Sequence, residues 1–254
     1  FGQVQAKMLD PHDFEFIVDH TLPCNGACQF MGTASTMQVM SEALGMAPPT
    51  AALAPATQRY VLNNARNAGD LIMNVFQRGL KVKDILTEGA LRNAVIVHQA
   101  TGGSSNGLLH LPAIAHAAGV PFDATLFDTL GQKTPYLTNI HTAGQYASRQ
   151  FWFAGGVQRI IDLLADSGLL DMDAMTVTGL TVRENLANVK KTDFFRMGEG
   201  YLGNYATVDG TRRLQRTDVV RNPDDPKTKK GSMAVMKGSL APEGSIFKYS
   251  ACGP

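Results

Sequence analysis

Glycines end several apolar segments of this chain, and the spacing within these segments predicts helices. Met37, Met40 and Leu44 follow helical spacing, and the segment ends at Gly45, ahead of a Pro-Pro pair that prevents continuation. A terminal glycine is typical of helices because it adopts the left-handed conformation that closes the last turn. The same pattern predicts helices over about 57–78, 91–101, 108–118 and 157–164, ended near Gly79, Gly102-Gly103, Gly119 and Gly168.

Polar residues mark where two of these helices begin. Ser35-Thr-Met-Gln38 fits a capping box, in which a serine hydroxyl and a glutamine side chain satisfy free amides at a helix start. Ser105 or Asn106 is predicted to cap the helix of 108–118. Within 91–101, Val95-Ile96-Val97 alone is equally compatible with a buried strand. Helix 57–78 carries one apolar stripe, formed by Val61, Ala65, Ala68, Ile72 and Val75.

The character of the chain changes at Asn222-Pro-Asp-Asp-Pro-Lys-Thr-Lys-Lys230, which is charged, proline-rich and without apolar periodicity. These properties are typical of a linker. Short strands are predicted at 233–236 and 245–249, separated by turn residues. We therefore expect one domain over 1–222, a linker over 223–231 and the start of a second domain over 232–254.

Composition excludes several classes of protein. The 254 residues include 23 Lys+Arg and 22 Asp+Glu, with no long basic run, which argues against a nucleic-acid surface. No apolar stretch approaches the roughly 18 residues that span a bilayer, so no membrane protein is expected. Three cysteines are too few for a disulfide framework and indicate a reducing, cytoplasmic compartment. The chain begins at Phe1 without a methionine, and we expect a fragment of a larger protein.

Cys24 and Cys28 form the most suggestive local cluster. Their C-x-x-x-C spacing could ligate a metal or a redox cluster, but no second pair accompanies them, so a buried inert thiol remains an alternative. Cys28 has the better setting, because it lies on a glycine-rich loop ahead of a helix start. There, amides and the helix dipole favour an anionic thiolate.

A second polar loop runs over Thr101-Gly-Gly-Ser-Ser-Asn-Gly107. Its glycines allow close backbone approach, and its hydroxyls with Asn106 could bind a polyhydroxylated or anionic ligand. An ordinary helix end followed by a polar cap is the simpler interpretation. Gly198-Glu-Gly-Tyr-Leu-Gly203 lacks the strand and helix that a nucleotide site needs, and the histidines form no HExxH motif. These patterns alone define no mechanism.

Three longer segments resemble the dihydroxy-acid dehydratase/6-phosphogluconate dehydratase family of iron–sulfur dehydratases. They occur in the order of the family and extend across nearly the whole chain. The segments are Gly26–Met37 with Glu42–Gly45, Gly102–Asn106 with Leu109–Gly119, and Leu240–Lys248, supported by Ala154–Val157 and Leu180–Leu186.

The resemblance implies an α/β fold: the back half of a large N-terminal α/β domain, then the first strands of a β-rich, swivel-like C-terminal domain. It also implies a [2Fe–2S] or [4Fe–4S] cluster held by three cysteines, together with Mg²⁺. Cys28 aligns with the third cluster ligand, whereas Cys24 has no fixed counterpart and receives no role. The other cluster cysteines, the Mg²⁺ ligands and the catalytic serine are expected outside these 254 residues.

Gln29-Phe30 stands where branched-chain members usually carry Gly-Gly, and this feature is closer to the sugar-acid members, xylonate and arabinonate dehydratases. The implied function is a hydro-lyase that converts a C5 aldonate such as xylonate to a 2-keto-3-deoxy acid, with the cluster as Lewis acid. A branched-chain dihydroxy-acid dehydratase is the alternative. A 6-phosphogluconate dehydratase comes third, because the motif loops carry no Lys or Arg for a phosphate. An inert remnant or a binding module is the non-enzymatic alternative.

The resemblance also places several polar residues near the cluster or a small-molecule substrate: Gln29, Thr33, Ser104, Ser105 and Asn106. Ser105 stands where the family usually has threonine, and it keeps the hydroxyl. Helix capping and packing are the alternative roles for these side chains. The family further implies a homodimer or a homotetramer.

Overall fold

The computed structural model describes residues 1–21, 26 and 28–251. This part of the chain is mostly helical and ends in one β-hairpin. The helices are α1 (Gly2–Gln5), α2 (Pro11–Thr21), α3 (Thr33–Ala43), α4 (Arg59–Gln77), α5 (Val82–Ile85), α6 (Glu88–Thr101), α7 (Gly107–Ala118), α8 (Thr125–Gly131), α9 (Ser148–Phe153), α10 (Gly156–Leu164), α11 (Val182–Lys191), α12 (Phe194–Leu202) and α13 (Arg216–Val219). Strands β1 (Ala234–Gly238) and β2 (Ala241–Phe247) precede a 3₁₀ turn over Tyr249–Ala251.

Helix α6 is the centre of the core. Every residue from Asn93 to Thr101 is buried, and α6 contacts α3, α7, α8 and α10. A helix that is buried on all sides needs no polar face, which explains why Val95-Ile96-Val97 has no amphipathic pattern. The helix prediction is confirmed here, and the strand alternative is wrong. The helix begins after Thr87, whose Oγ1 accepts a hydrogen bond from Ala90 N, and it ends at Gly102 with φ +70°.

Helix α3 begins two residues before the predicted capping box. Gly32 precedes its first residue, Thr33, and the capping box at Ser35–Gln38 is wrong. Tertiary contacts use both side chains instead: Ser35 Oγ donates to Cys28 O, and Gln38 Oε1 accepts from Leu53 N. Hydrogen bonds to residues outside the helix therefore replace the local capping motif.

The boundary of α7 is confirmed, but its capping side chain is not. Asn106 directly precedes the helix, yet its side chain makes no cap and donates to Thr33 Oγ1. Ser105 does not cap the helix either. Gly119, with φ +74°, ends α7 as its sequence predicts.

Helix α4 matches its predicted length and ends before Gly79. Its predicted apolar stripe, however, does not face the core. Ala65, Ala68 and Ile72 are exposed, while Val61 and Val75 are half-buried. Helix α10 forms as predicted, and the four residues on its core side, Val157, Ile160, Ile161 and Leu164, are all buried.

Residues 222–231 contain neither helix nor strand, and their backbone bonds to the main body. Lys227 N donates to Tyr136 O at 2.9 Å, and Gly231 N donates to Gly131 O at 2.7 Å. Two strands follow this segment as predicted and form an antiparallel hairpin that pairs Ala234 with Phe247. The second strand begins at Ala241, four residues earlier than predicted, so 242–244 belong to the strand and not to the turn. No helix in the described part of the chain has the length and apolarity to cross a bilayer.

Candidate functional site

Cys28 lies on the loop before α3 with its side chain exposed. Its carbonyl oxygen accepts hydrogen bonds from Ser35 Oγ at 3.1 Å and from Ser148 Oγ at 3.2 Å. Its Sγ lies 3.8 Å from Ser35 Oγ and 3.5 Å from Phe30 O. The backbone of Cys28 is therefore held by two helices, while its sulfur remains accessible.

The start of α3 gives this sulfur a favourable electrostatic environment. A Cβ atom added to Gly32 would lie 3.7 Å from Cys28 Sγ, so the sulfur is close to the residue that precedes the helix. The first amides of an α-helix have no intrahelical acceptor, and the helix dipole is positive at this end. The sulfur of Cys28 therefore lies close to the positive end of α3.

The loop between α6 and α7 meets the first turn of α3. Ser104 N donates to Thr36 Oγ1 at 2.9 Å, and Asn106 Nδ2 donates to Thr33 Oγ1. The structure therefore brings Thr33, Ser104 and Asn106 together, whereas their place near a cluster or a substrate stays a prediction. Ser105, between them, is exposed.

His98, on α6, holds this loop from the side of the core. It is buried, and its Nε2 lies 2.8 Å from Ser104 O, to which the neutral ring donates. Burial lowers the pKa of His98 to about 4, so the ring is uncharged at neutral pH. A Cβ at Gly103 would collide with the ring, and one at Gly107 would lie 2.6 Å from His98 Nε2. These glycines are needed because the loop backbone lies directly against the imidazole.

A cavity of about 340 Å³ adjoins the Cys28 loop. Its polar lining includes Gln29, Gln38, Ser148 and Arg149, and the rest is largely apolar. Ser148 N donates to Gln29 O at 2.8 Å, which joins the loop to the start of α9. The cavity can therefore accept a small ligand with polar and apolar parts.

Arg149 contributes a cation to this cavity. Its Cζ lies 5.5 Å from the centre of the Tyr205 ring, and its buried Nε has no hydrogen-bond partner among the described residues. The Cys28 loop and the loop between α6 and α7 contain no Lys or Arg, so neither motif indicated this charge. A guanidinium in the wall of a cavity favours an anionic ligand.

Lys248 is a second residue that the sequence did not single out. Its Nζ donates to Gly102 O at 2.9 Å and so joins the end of β2 to the loop before α7. Burial lowers the pKa of Lys248. The available signal was its position as the last residue of the third motif segment, Leu240–Lys248.

The described residues can supply one protein ligand to an iron–sulfur cluster. A cysteine thiolate is the usual protein ligand of such clusters, and Cys28 presents one. Over residues 1–21, 26 and 28–251, no group of three or more His, Cys, Asp or Glu is placed to hold a metal ion. Cys24 and Cys252 lie outside the described residues. No Mg²⁺ site is assigned within this part of the chain.

Comparison with known proteins defines the class to which this arrangement belongs. Residues 1–185 match the family model described as dihydroxy-acid/6-phosphogluconate dehydratase, N-terminal. The chain therefore belongs to the dihydroxy-acid/6-phosphogluconate dehydratase family.

Individual relatives extend the match over nearly the whole chain. A protein named dihydroxy-acid dehydratase from Agathobacter rectalis is 38% identical over 250 residues, which cover 98% of this chain and 41% of the relative. Proteins of the same name from Metallosphaera sedula and Moorella thermoacetica are each 36% identical, over 98% and 100% of this chain and 41% and 42% of their own lengths. The chain thus spans about two fifths of the length of these relatives.

Proposed function

We propose that this chain is the Cys28-bearing part of a hydro-lyase that dehydrates a 2,3-dihydroxy acid to a 2-keto acid. Membership of the dehydratase family and the names of the relatives support this class of reaction. The observation that carries the proposal is the exposed Cys28 thiol beside the first turn of α3, next to a loop that α3 holds in place.

Cys28 would supply one thiolate to an iron–sulfur cluster. When bound, such a cluster with one open iron position supplies a Lewis acid for the hydroxyl that leaves. The start of α3, which is the positive end of the helix dipole, lies next to this sulfur. Thr33 and Asn106 hold the neighbouring loop, and Gln29 presents a polar group to the adjoining cavity. Ser104 and Ser105 would add hydroxyl groups at the same place.

Of the substrates considered from the sequence, we place the branched-chain dihydroxy acid first, ahead of the C5 aldonate. The relatives named dihydroxy-acid dehydratase favour this order. The aldonate remains the second candidate, because Gln29-Phe30 resembles the sugar-acid members and because Gln29 and Gln38 give the cavity polar groups suited to a polyol. Arg149 weakens the argument against a phosphorylated substrate, since the cavity contains a cation that the motif loops lack.

The proposal includes the cellular compartment of the protein and its division into domains. The low cysteine content supports a cytoplasmic enzyme. The irregular segment 222–231, followed by the hairpin, supports a boundary between a large first domain and a β-rich second domain.

A substrate panel tests the proposed reaction. The intact protein, purified without oxygen, is incubated with 2,3-dihydroxyisovalerate, D-xylonate, L-arabinonate and 6-phosphogluconate, and formation of the 2-keto acid is measured. We expect the highest kcat/KM for 2,3-dihydroxyisovalerate. A higher kcat/KM for xylonate or arabinonate would support the aldonate instead. A cluster-loaded protein that forms keto acid from none of the four compounds would contradict the proposal.

A further inference from the structure

One part of the wall of the cavity beside Cys28 is a single irregular loop. We call residues 50–57, which lie between α3 and α4, the cavity loop. Six of its residues, between Ala51 and Thr57, line the cavity. The loop contains neither helix nor strand, so its shape depends on the groups to which its backbone is bonded.

Two residues of the cavity loop have a left-handed backbone. Thr50 has φ +70° and Leu53 has φ +63°. This conformation is unfavourable for residues that carry a side chain, and most of all for a β-branched residue such as threonine. It persists only where the surrounding structure imposes it, and such residues cluster at functional sites. The groups that impose this shape on the loop therefore also determine the shape of the cavity.

Glu42, on α3, is the main group of this kind. Its Oε1 accepts a hydrogen bond from Thr50 N at 2.9 Å, and its Oε2 accepts one from Ala52 N at 2.9 Å. Glu42 is buried and forms no ion pair within the described residues. A buried carboxylate is costly unless donors converge on it, and here the loop supplies two of them. Only a carboxylate can accept at both of its terminal atoms.

Two further side chains complete the attachment of the cavity loop. Gln38, one turn before Glu42 on α3, accepts at Oε1 from Leu53 N at 3.1 Å. Trp152, on α9, donates from Nε1 to Thr50 O at 2.8 Å. Both residues with left-handed backbone are therefore bonded through their own backbone atoms to side chains of neighbouring helices.

We propose that Glu42 is a positioning residue that holds the cavity loop in its binding shape and so sets the affinity of the cavity for substrate. Its side chain is not part of the cavity lining, so it acts through the loop and not by touching the substrate. The inference rests on the proposed function, because it takes this cavity as the place where the substrate binds. A loop that adopts its binding shape for only a fraction of the time weakens the apparent affinity by that fraction.

A pair of variants separates positioning from stability. Glu42→Gln keeps the size of the side chain but turns an amide N–H toward an N–H of the loop. Gln158→Met removes the donor that lies 2.8 Å from Glu42 Oε1 and leaves both loop amides with their acceptor. Gln158 is buried as well, so we expect both variants to lose stability, whereas only Glu42→Gln releases the loop. Circular dichroism checks that both variants are folded.

Amide hydrogen exchange in the substrate-free protein measures the loop directly. Residues 53–57 provide the readout, because none of their amides bonds to Glu42. The centre of α6 serves as the reference for global unfolding. Relative to this reference, we expect exchange over 53–57 to be at least about threefold faster in Glu42→Gln than in Gln158→Met. Equal exchange in the two variants would overturn the proposal.

Steady-state kinetics measures the effect on substrate. The intact, cluster-loaded proteins are assayed with the acid of the substrate panel that gives the highest kcat/KM. We expect Glu42→Gln to raise KM at least about tenfold with kcat changed less than about threefold, and Gln158→Met to change both less than about twofold. An unchanged KM in Glu42→Gln, or an equal rise of KM in both variants, would overturn the proposal.

The two measurements distinguish this inference from the proposed function. A protein that converts none of the four acids would contradict the proposed function, and hydrogen exchange would still decide whether Glu42 holds the cavity loop. An active enzyme whose KM is unaffected by Glu42→Gln would contradict the positioning role alone.

Discussion

Ser104 N donates a hydrogen bond of 2.9 Å to Thr36 Oγ1, so the loop after α6 is fixed to the first turn of α3. The two residues lie 68 positions apart in the sequence. The contact unites two of the three segments that carry the family resemblance, and it does so beside Cys28. The contact therefore holds the two loops together at the Cys28 site.

Replacing Thr36 by valine tests this contact. Thr36 is buried, and valine keeps the shape of the side chain but leaves Ser104 N without its acceptor. We expect the free energy of unfolding to fall by about 1–3 kcal/mol, measured by urea titration. Thr129→Val, which alters an exposed threonine on α8, is the matched control and should change stability by less than about 0.5 kcal/mol. Equal effects of both substitutions would show that the Ser104 contact has no special role.

A glutamine at position 42 is expected to destabilise the fold although it keeps the size of the side chain. Glu42 is buried, and its two oxygens accept from Thr50 N and Ala52 N at 2.9 Å each and from Gln158 Nε2 at 2.8 Å. Burial raises the pKa of Glu42 to about 7 despite these donors. An amide group would turn N–H toward N–H, and we expect a loss of about 1–3 kcal/mol.

Thermal and urea unfolding measure the effect of Glu42→Gln. Glu15→Gln, on the exposed side of α2, is the control for loss of a negative charge. If Glu42→Gln were as stable as the wild type, the network around the loop of residues 50–52 would not depend on a carboxylate.

His98 is expected to make stability depend on pH. Its pKa falls from about 6.5 to about 4 on folding because the charged ring cannot be hydrated in the core. The folded state thus prefers the neutral ring, and this stabilisation is complete above pH 6.5 and is lost as the pH falls toward 4. A shift of this size corresponds to about 3 kcal/mol.

Comparison with His98→Gln isolates this effect, because other groups, including Glu42, titrate in both proteins. We expect the stability advantage of the wild type over His98→Gln to shrink by about 3 kcal/mol between pH 7.5 and pH 4. Urea titrations at several pH values provide the measurement. A constant difference over this range would mean that His98 has an ordinary pKa in the folded protein.

Lys248→Met tests whether the hairpin holds the loop before α7. The substitution keeps most of the side-chain length but removes the donor to Gly102 O. We expect faster amide hydrogen exchange in residues 102–106, with little change in the centre of α6. Lys237→Met, on an exposed position of β1, is the control. Unchanged exchange in the loop would show that Lys248 does not position it.

Helix boundaries were predictable because they depend on local chemistry. Gly102 and Gly119 adopt the left-handed conformation that ends a helix, as their positions in the sequence indicate. Side-chain partners were not predictable in the same way. Ser35 and Asn106 have the chemistry of capping residues, but their best partners, Cys28 O and Thr33 Oγ1, come from other parts of the fold.

The candidate site likewise has a part that the sequence predicted and a part that it did not. Motif positions assign Thr33, Ser104 and Asn106 to one predicted site, and the structure joins the two loops that carry them by hydrogen bonds. Arg149 could not be found in this way, because its charge reaches the cavity through α9, which no polar motif marks. The orientation of α4 could not be predicted either, because an apolar stripe does not show what it packs against.

The most direct test of the central claim is the iron content of the Cys28→Ser protein. The intact protein is purified without oxygen, and iron, sulfide and visible absorption are measured for the wild type, for Cys28→Ser and for Cys252→Ser as the matched control. Circular dichroism confirms folding, which we expect to be retained because the Cys28 side chain is exposed. We predict that Cys28→Ser loses the cluster absorption and the hydro-lyase activity together, whereas Cys252→Ser keeps both. A folded Cys28→Ser protein with full iron content and unchanged absorption would contradict the assignment of Cys28 as a cluster ligand.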